Sequence, residues 1–440
     1  MKRRLLPILM TLVLVCALPI WAAFVTSGDV TNPLVSTAGA SEPNLQGMID
    51  RANAGATITL NSNTEIAATL QITKNLTIDL NGHVLKMTGD GSVLHVKKDG
   101  PNTVTLTIMD SSAAKSGTIT GGNAEDGDGG GVYVGAYATL EMTGGCITGC
   151  RAKDGGGVYI DNNATLKMTG GCITDCHASY GGGIFSYENL YMSGTAKIEK
   201  CTSNGGSYDA IWNRERCNIY ADGGTVDGTV SNLGTIMHSE GAAAETVFNG
   251  AVYNQQAGTI EAGMYNETVE NNGTIIGGTF YDAVTNRKAS LSFMTEAGTI
   301  SGGTFYGSIV NEGGPEQVAD SAKVAVTFNT DGGTSVAEEK VLRGQKVTNP
   351  AAPTKSGHTF TGWYLGNEKY NFDTPVTAPL TLTARWKEVP SSGGYYYYPT
   401  TDTKTDDTKG SPKTADPGVA LYGVLSLLSL TGLTCTTKKR

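Results

Sequence analysis

The chain has 440 residues, too many for one ordinary compact domain, and its 59 glycines against 14 prolines, with aromatics at 7%, point to many tight turns around short strands. That composition does not fit a helical bundle. The formal net charge of −9 becomes about −14 once the six basic residues at the two ends and Asp416 are set aside, and such acidity argues against binding nucleic acid or anionic lipid head groups.

In chain order, Lys2-Arg3-Arg4, the apolar stretch 5–20 and Trp21-Ala22-Ala23 read as a signal peptide over 1–27, with an apolar core too short to span a bilayer comfortably. Val15 stands before Cys16 where lipoprotein processing needs a small residue, so lipidation is not expected. A polar linker, 28–43, follows. Leu45, Met48, Ile49 and Ala52 then fall on one helical face after Ser41 and Pro43, with Gly55 as a stop. Such a helix would cap the open end of a sheet stack, where unpaired strand edges invite aggregation.

From Ala56 the period changes from helical to two. Ala56-Thr57-Ile58-Thr59-Leu60, the stretch 66–72 and Leu76-Thr77-Ile78-Asp79-Leu80-Asn81-Gly82-His83 alternate apolar and polar residues, as strands with one buried face do. Internal repetition then dominates. Gly129-Gly130-Gly131-Val132-Tyr133 returns as Gly155-Gly156-Gly157-Val158-Tyr159 and as Gly181-Gly182-Gly183-Ile184-Phe185, and the run 139–147 recurs at 165–173 and 189–198. A strand-only repeat cannot bury its apolar face alone, whereas stacked copies pair in parallel at about 4.8 Å per turn around one interior. Leu140, Leu166 and Leu190 are expected in one inward column, Ile147, Ile173 and Ile198 in another, with Glu141 above Lys167 outside. Degenerate copies follow: Gly-Thr-Ile recurs at Gly234, Gly258, Gly273 and Gly298, and Gly278-Thr279-Phe280-Tyr281 returns at Gly303-Thr304-Phe305-Tyr306.

Few residues in these coils carry recognisable chemistry. The repeat places Asp128 above Asp154 at a turn with Asp126 nearby, and paired carboxylates of this kind bind Ca²⁺ or act as acid and base in glycoside hydrolysis; the next copy has Tyr180 there. Tyr133, Tyr159 and Phe185 would line an exposed aromatic stripe suited to sugar stacking, and are equally ordinary solenoid surface. His83, His95, His177, His238 and His358 are scattered, without a nucleophile context, and read as surface residues. No phosphate loop follows Gly129 to Gly131, since Gly-Lys-Ser/Thr is missing. Cys150, Cys176 and Cys201 share one repeat position and would stack as small buried groups. Disulfides and a metal site are the alternatives for these and for Cys146, Cys172 and Cys217; directly stacked positions hold their Cβ vectors nearly parallel, which disfavours a bridge.

The Leu-Thr-Ile-Asp-Leu-Asn-Gly-His run and the Gly-Gly-x-Ile repeats resemble the right-handed parallel β-helix of the pectate-lyase-like superfamily, which places the solenoid with its helical cap at 44–320. In coils of that family the turn position held here by cysteine often carries asparagine. The same solenoid carries lyases, hydrolases and non-catalytic adhesins, and neither the paired-aspartate and Gly-His-Gly signatures of its polygalacturonases nor the basic residues of its lyases are recognisable here. Val326-Thr327-Phe328-Asn329, Asp331-Gly332-Gly333, the run 353–364 with Gly362-Trp363-Tyr364, and 380–386 ending in Arg385-Trp386 resemble an internalin-type B repeat, a small β-grasp (α+β-like) module, at 321–388. Phe328, Phe360, Trp363, Phe372 and Trp386 would form its core. A low-complexity linker suited to crossing a cell wall occupies 389–410.

The last segment, 411–440, resembles a sortase sorting signal: Ser411-Pro412-Lys413-Thr414-Ala415, the apolar run 419–433 and Lys438-Lys439-Arg440, with Ser411 and Ala415 where the family usually has leucine and glycine. The resemblance implies cleavage between Thr414 and Ala415 and transfer to peptidoglycan. The expectation is an all-β protein fixed to the wall of a Gram-positive bacterium, its partners sortase, peptidoglycan and a glycan or host-surface ligand. A non-catalytic adhesin is the first reading and a displayed polysaccharide lyase or glycoside hydrolase the alternative. No cofactor is expected unless Asp126, Asp128 and Asp154 hold Ca²⁺.

Overall fold

Apolar residues at every second position, interrupted after three to six residues by a turn, give strands too short to stand alone and able to stack. In the computed structural model, which describes residues 44–204, 210–288 and 297–390, that stacking produces a parallel β-solenoid. The expected signal peptide, the linker at 28–43, all but the first two residues of the linker at 389–410, and the sorting signal with Thr414 and Ala415 lie outside the described residues. The chain divides into Met1–Val389 and Pro390–Arg440, and everything below belongs to the first unit.

Eleven strands form one continuous parallel face, from Leu70–Ile72 through Val132–Val134, Val158–Ile160 and Ile184–Ser186 to Ile309–Asn311. A 20-stranded sheet forms the rest of the wall. A third, four-stranded sheet (Asn123–Asp128, Arg151–Asp154, His177–Ala178, Thr202–Ser203) exists only where coils are long. Equivalent positions lie 26 residues apart at Cys146 and Cys172 but 17 and 15 apart in the steps from Asn254 to Asn271 and Asn286, so those two coils have no chain to spare for that sheet.

The expected columns form. Leu140, Leu166 and Leu190 pair in register and are fully buried, as are Ile147, Ile173 and Ile198. Outside, Lys167 Nζ lies 3.2 Å from Glu141 Oε1. Two inner columns were not foreseen. Phe248, Tyr265, Phe280 and Phe305 stack with centroids 5.0, 4.9 and 4.8 Å apart and fill the shorter coils. Asn213, Asn232, Asn254, Asn271, Asn286 and Asn311 form a ladder in which each Nδ2 donates to the next Oδ1 at 2.7–2.8 Å. That ladder lies in the eleven-stranded face, not at the cysteine turn. Cys150, Cys176 and Cys201 stack there, buried, as expected. Cys146 and Cys172 correct one expectation: their parallel register brings the Cα atoms to 4.5 Å, inside the range a disulfide spans, and the two are bridged.

Both ends are covered. Helix Leu45–Arg51 closes the first coil with Leu45 and Ile49 buried, and its cap is Asn44, whose side chain accepts from the Gly47 amide at 2.9 Å. At the far end Val318 and Ala322 join the solenoid core, and Leu342 packs against it. Ile309 N donates to Arg343 O at 2.9 Å, and Arg343 Nε to Tyr306 O at 2.8 Å, so the edge of the last coil is occupied by the module that follows. That module is a five-stranded sheet in the order Glu339–Val341, Val324–Asn329, Leu380–Glu388, His358–Leu365, Glu368–Lys369. Val326, Phe328, Trp363, Val376 and Leu382 form its interior, while Phe360, Phe372 and Trp386 are half-buried at the rim. Its described residues from 324 onward are strands and turns alone.

Candidate functional site

The Gly-Gly-Gly triplets make a corner between the four-stranded sheet and the eleven-stranded face. A Cβ on Gly156 would stand 2.4 Å from His177 O, and one on Gly157 2.4 Å from Ile173 Cγ2, so backbone passes where no side chain fits. Just before each triplet stand Asp128, Asp154 and Tyr180, paired rung to rung. Just after it come Tyr133, Tyr159, Phe185 and Trp212, in register on the face beyond. The residue following each of these strands completes a second flank: Asp161, Tyr187 and Arg214, whose amides each bond to the preceding coil. Tyr180 meets Trp212 edge to face with centroids 4.3 Å apart, so the two walls enclose a re-entrant corner.

The floor is a ring ladder. Tyr133 and Tyr159 stack at 5.0 Å, Tyr159 and Phe185 at 5.6 Å, and Phe185 and Trp212 are tilted at 5.8 Å. Tyr187 leans against both Tyr159 and Phe185. The exposed stripe expected at Tyr133, Tyr159 and Phe185 is therefore corrected: Tyr159 is only 7% exposed and Phe185 4%, because stacked rings cover one another's faces. Ring edges face the solvent, and Tyr180, at 42%, is the open aromatic of the corner.

Charge on the walls is predominantly acidic. Burial pushes the Asp128 carboxyl above its usual value, Asp154 adds to the rise, Lys153 opposes it, and Asp161 raises it further. Burial likewise raises Asp154, against Lys153 and Arg214. Asp154 Oδ1 is buried without a hydrogen-bond partner. Tyr133 Oη donates to Asp161 Oδ2 at 3.0 Å, and burial followed by that carboxylate holds the phenol well above its ordinary range. At the lower end Arg214 lies over the Tyr187 ring, Cζ 4.3 Å from its centroid, and donates to its hydroxyl.

Of the residues singled out from sequence, the corner unites Asp128, Asp154, Tyr133 and Tyr159. It does not include Asp126, which is exposed in the bulge that lets Asn123–Asp128 pair with the shorter Arg151–Asp154. Asp161, Tyr187, Trp212 and Arg214 were missed because they share no residue type with their repeat partners, and a repeat-based reading discards what varies. Among the described residues no three His, Cys, Asp or Glu side chains converge to hold a metal ion. His238 is not the isolated surface histidine expected: Nδ1 lies 3.3 Å from Asp222 Oδ1 and Nε2 3.6 Å from Glu245 Oε1, which fastens the loop 238–246 to the neighbouring coil.

Comparison with known proteins finds one family match and two relatives that share a short stretch with this chain. Residues 325–385 match the Listeria-Bacteroides repeat domain. A candidate membrane protein of Evansella cellulosilytica is 42% identical over 65 residues, 14% of this chain and 10% of that protein. A candidate Gly-rich membrane protein of the same organism is 38% identical over 66 residues, again 14% of this chain and 8% of its own length. The chain thus spans about a tenth of the length of the curated relatives it matches. Among the described residues no helix is long and apolar enough to cross a membrane.

Proposed function

We propose that this is a surface-displayed, non-catalytic binding protein whose solenoid takes a glycan at the Asp128/Asp154 corner. The observation that carries the reading is the half-buried carboxylate pair Asp128 and Asp154, in register on adjacent rungs beside the exposed Tyr180 and the ring ladder. Display is supported by the Listeria-Bacteroides repeat and by the membrane-protein names of the two relatives. In this reading 1–27 directs export, and a sortase joins Thr414 to peptidoglycan after cutting before Ala415. Mass spectrometry of muramidase-released protein tests this directly: a C-terminal Thr414 bearing a wall peptide is expected, and a chain still ending at Arg440 contradicts it.

A second reading, hydrolysis or lyase cleavage of a polysaccharide, is favoured by one observation. Asp128 and Asp154 sit on adjacent rungs with both carboxyls raised, the environment of a general acid with its partner. Incubation with plant, mucin and microbial glycans, scoring retention and new reducing or unsaturated ends, separates the two. Retention without new ends is the expected outcome; saturable release of ends that disappears in Asp128→Asn would establish the enzyme instead.

A further inference from the structure

The repeat module joins the solenoid to the C-terminal segment through two neighbouring parallel strands. Val324–Asn329 leaves the solenoid directly after Ala322, which belongs to the solenoid core. Leu380–Glu388 is the last strand before the chain continues toward its C-terminus. The two run parallel, Val326 opposite Leu380 through Asn329 opposite Thr383, so the chain enters at one end of the pair and leaves at the other. On its other side the last strand pairs antiparallel with His358–Leu365, from Tyr364 opposite Thr383 to His358 opposite Glu388. It is therefore gripped along both edges.

From this geometry we infer a mechanical function: the module is a shear clamp that holds the solenoid against tension applied through the C-terminus. Pulling on residue 389 drives the last strand lengthwise past both neighbours. The hydrogen bonds of the ladder to Val324–Asn329 then resist together, whereas peeling a strand from its end breaks them one at a time. The entry side is welded to the solenoid by more than the chain. Val324, Ala325 and Val326 pair with Val341, Lys340 and Glu339, and that strand leads directly into Leu342 and Arg343, which close the last coil. Lys323 and Lys340 both reach Asp320. The exit side is fastened by Trp386, whose Nε1 donates to Thr330 O at 3.1 Å and whose ring packs on Phe360. Arg385 donates to Gly366 O and Asn367 Oδ1 at 3.0 and 2.9 Å, and Val389 N donates to Gly357 O at 2.9 Å.

The biological use of such a clamp rests on the proposed anchoring of the C-terminus; the mechanical property does not. Single-molecule pulling on the full chain tests it. One handle sits in the exposed solenoid loop at Gly100 and the other either after Val389 or in the exposed loop at Ala378, just before the last strand begins. Both tethers unfold the same protein, but the first shears the last strand and the second peels it. Expected is a lengthening step of about 200 Å at a force at least twofold higher from Val389 than from Ala378. Trp386→Ala should lower the first force and leave the second nearly unchanged. Coils that unravel while the module stays closed also support the clamp, since the module then outlasts the body it holds. Equal forces from the two tethers overturn it.

Discussion

Asp110 shows how a single side chain sets a coil's turn. It is buried, its Oδ1 accepts from Gly82 N at 2.8 Å and Ser112 N at 3.0 Å, and its Oδ2 accepts from Gly117 N at 2.6 Å. Burial alone would raise its pKa, but the neighbouring Ser112 hydroxyl and the bonds from these amides outweigh burial and hold the carboxyl below the usual 3.8. Because the folded value is depressed, the stabilisation is complete above the unfolded value and is lost as pH falls through the folded one. Thermal melts between pH 2 and 7 should therefore show the wild type losing stability below about pH 4 more steeply than Asp110→Asn. At pH 7 that variant should be less stable by about 1–3 kcal/mol; parallel pH profiles would contradict the assignment. Asp79 makes the equivalent turn one coil earlier, accepting from the amides of Asn81 and Ser111. The run around Asp79 was legible as an opening coil, but the acid's role was not, because its donors come from amides 2 and 32 residues away.

Among the elements, the asparagine ladder and the cysteine columns carry the sharpest expectations. Replacing Asn254 by alanine strips an acceptor from Asn232 Nδ2 and a donor from Asn271 Oδ1, and also frees Gly258 O and Thr274 O. With unpaired buried groups costing about 1–3 kcal/mol each and partial relaxation, a loss of about 3 kcal/mol is expected by chemical denaturation. A loss below about 1 kcal/mol would mean the ladder contributes little. In protein lacking 1–27 and 411–440, thiol titration should find no reactive group when folded, four on unfolding (Cys150, Cys176, Cys201 and Cys217) and six after reduction. Six on unfolding alone would remove the Cys146–Cys172 bridge. The strand period and the Leu and Ile columns could be read because the repeat there stays within 24 to 26 residues. The asparagine ladder could not: its steps of 19, 22, 17, 15 and 25 residues are too uneven to register as a repeat.

For the whole molecule, the consequence is that the module packs on the solenoid and both ends of the solenoid are covered. Removing 323–388 leaves the Ile309 amide and the edge of the last coil unpaired, so amide exchange should rise first at Ile309–Asn311 and then at Val284–Asn286, while Val132–Val134 keeps its protection. Uniform exchange would show that the module closes nothing. The sequence alone did not reveal this contact, since Leu342 and Arg343 lie in a stretch with no pattern of its own. The central claim, that the solenoid binds a glycan at the corner without cleaving it, is tested most directly by binding isotherms for the glycan retained best, comparing wild type, Asp154→Asn and Asp126→Asn. A hydrogen bond to a charged group contributes about 1.5–3 kcal/mol, so Asp154→Asn should weaken binding roughly 10- to 100-fold while Asp126→Asn leaves it unchanged, with no new chain ends. Equal binding by all three proteins, or ends released in proportion to time by wild type alone, would contradict it.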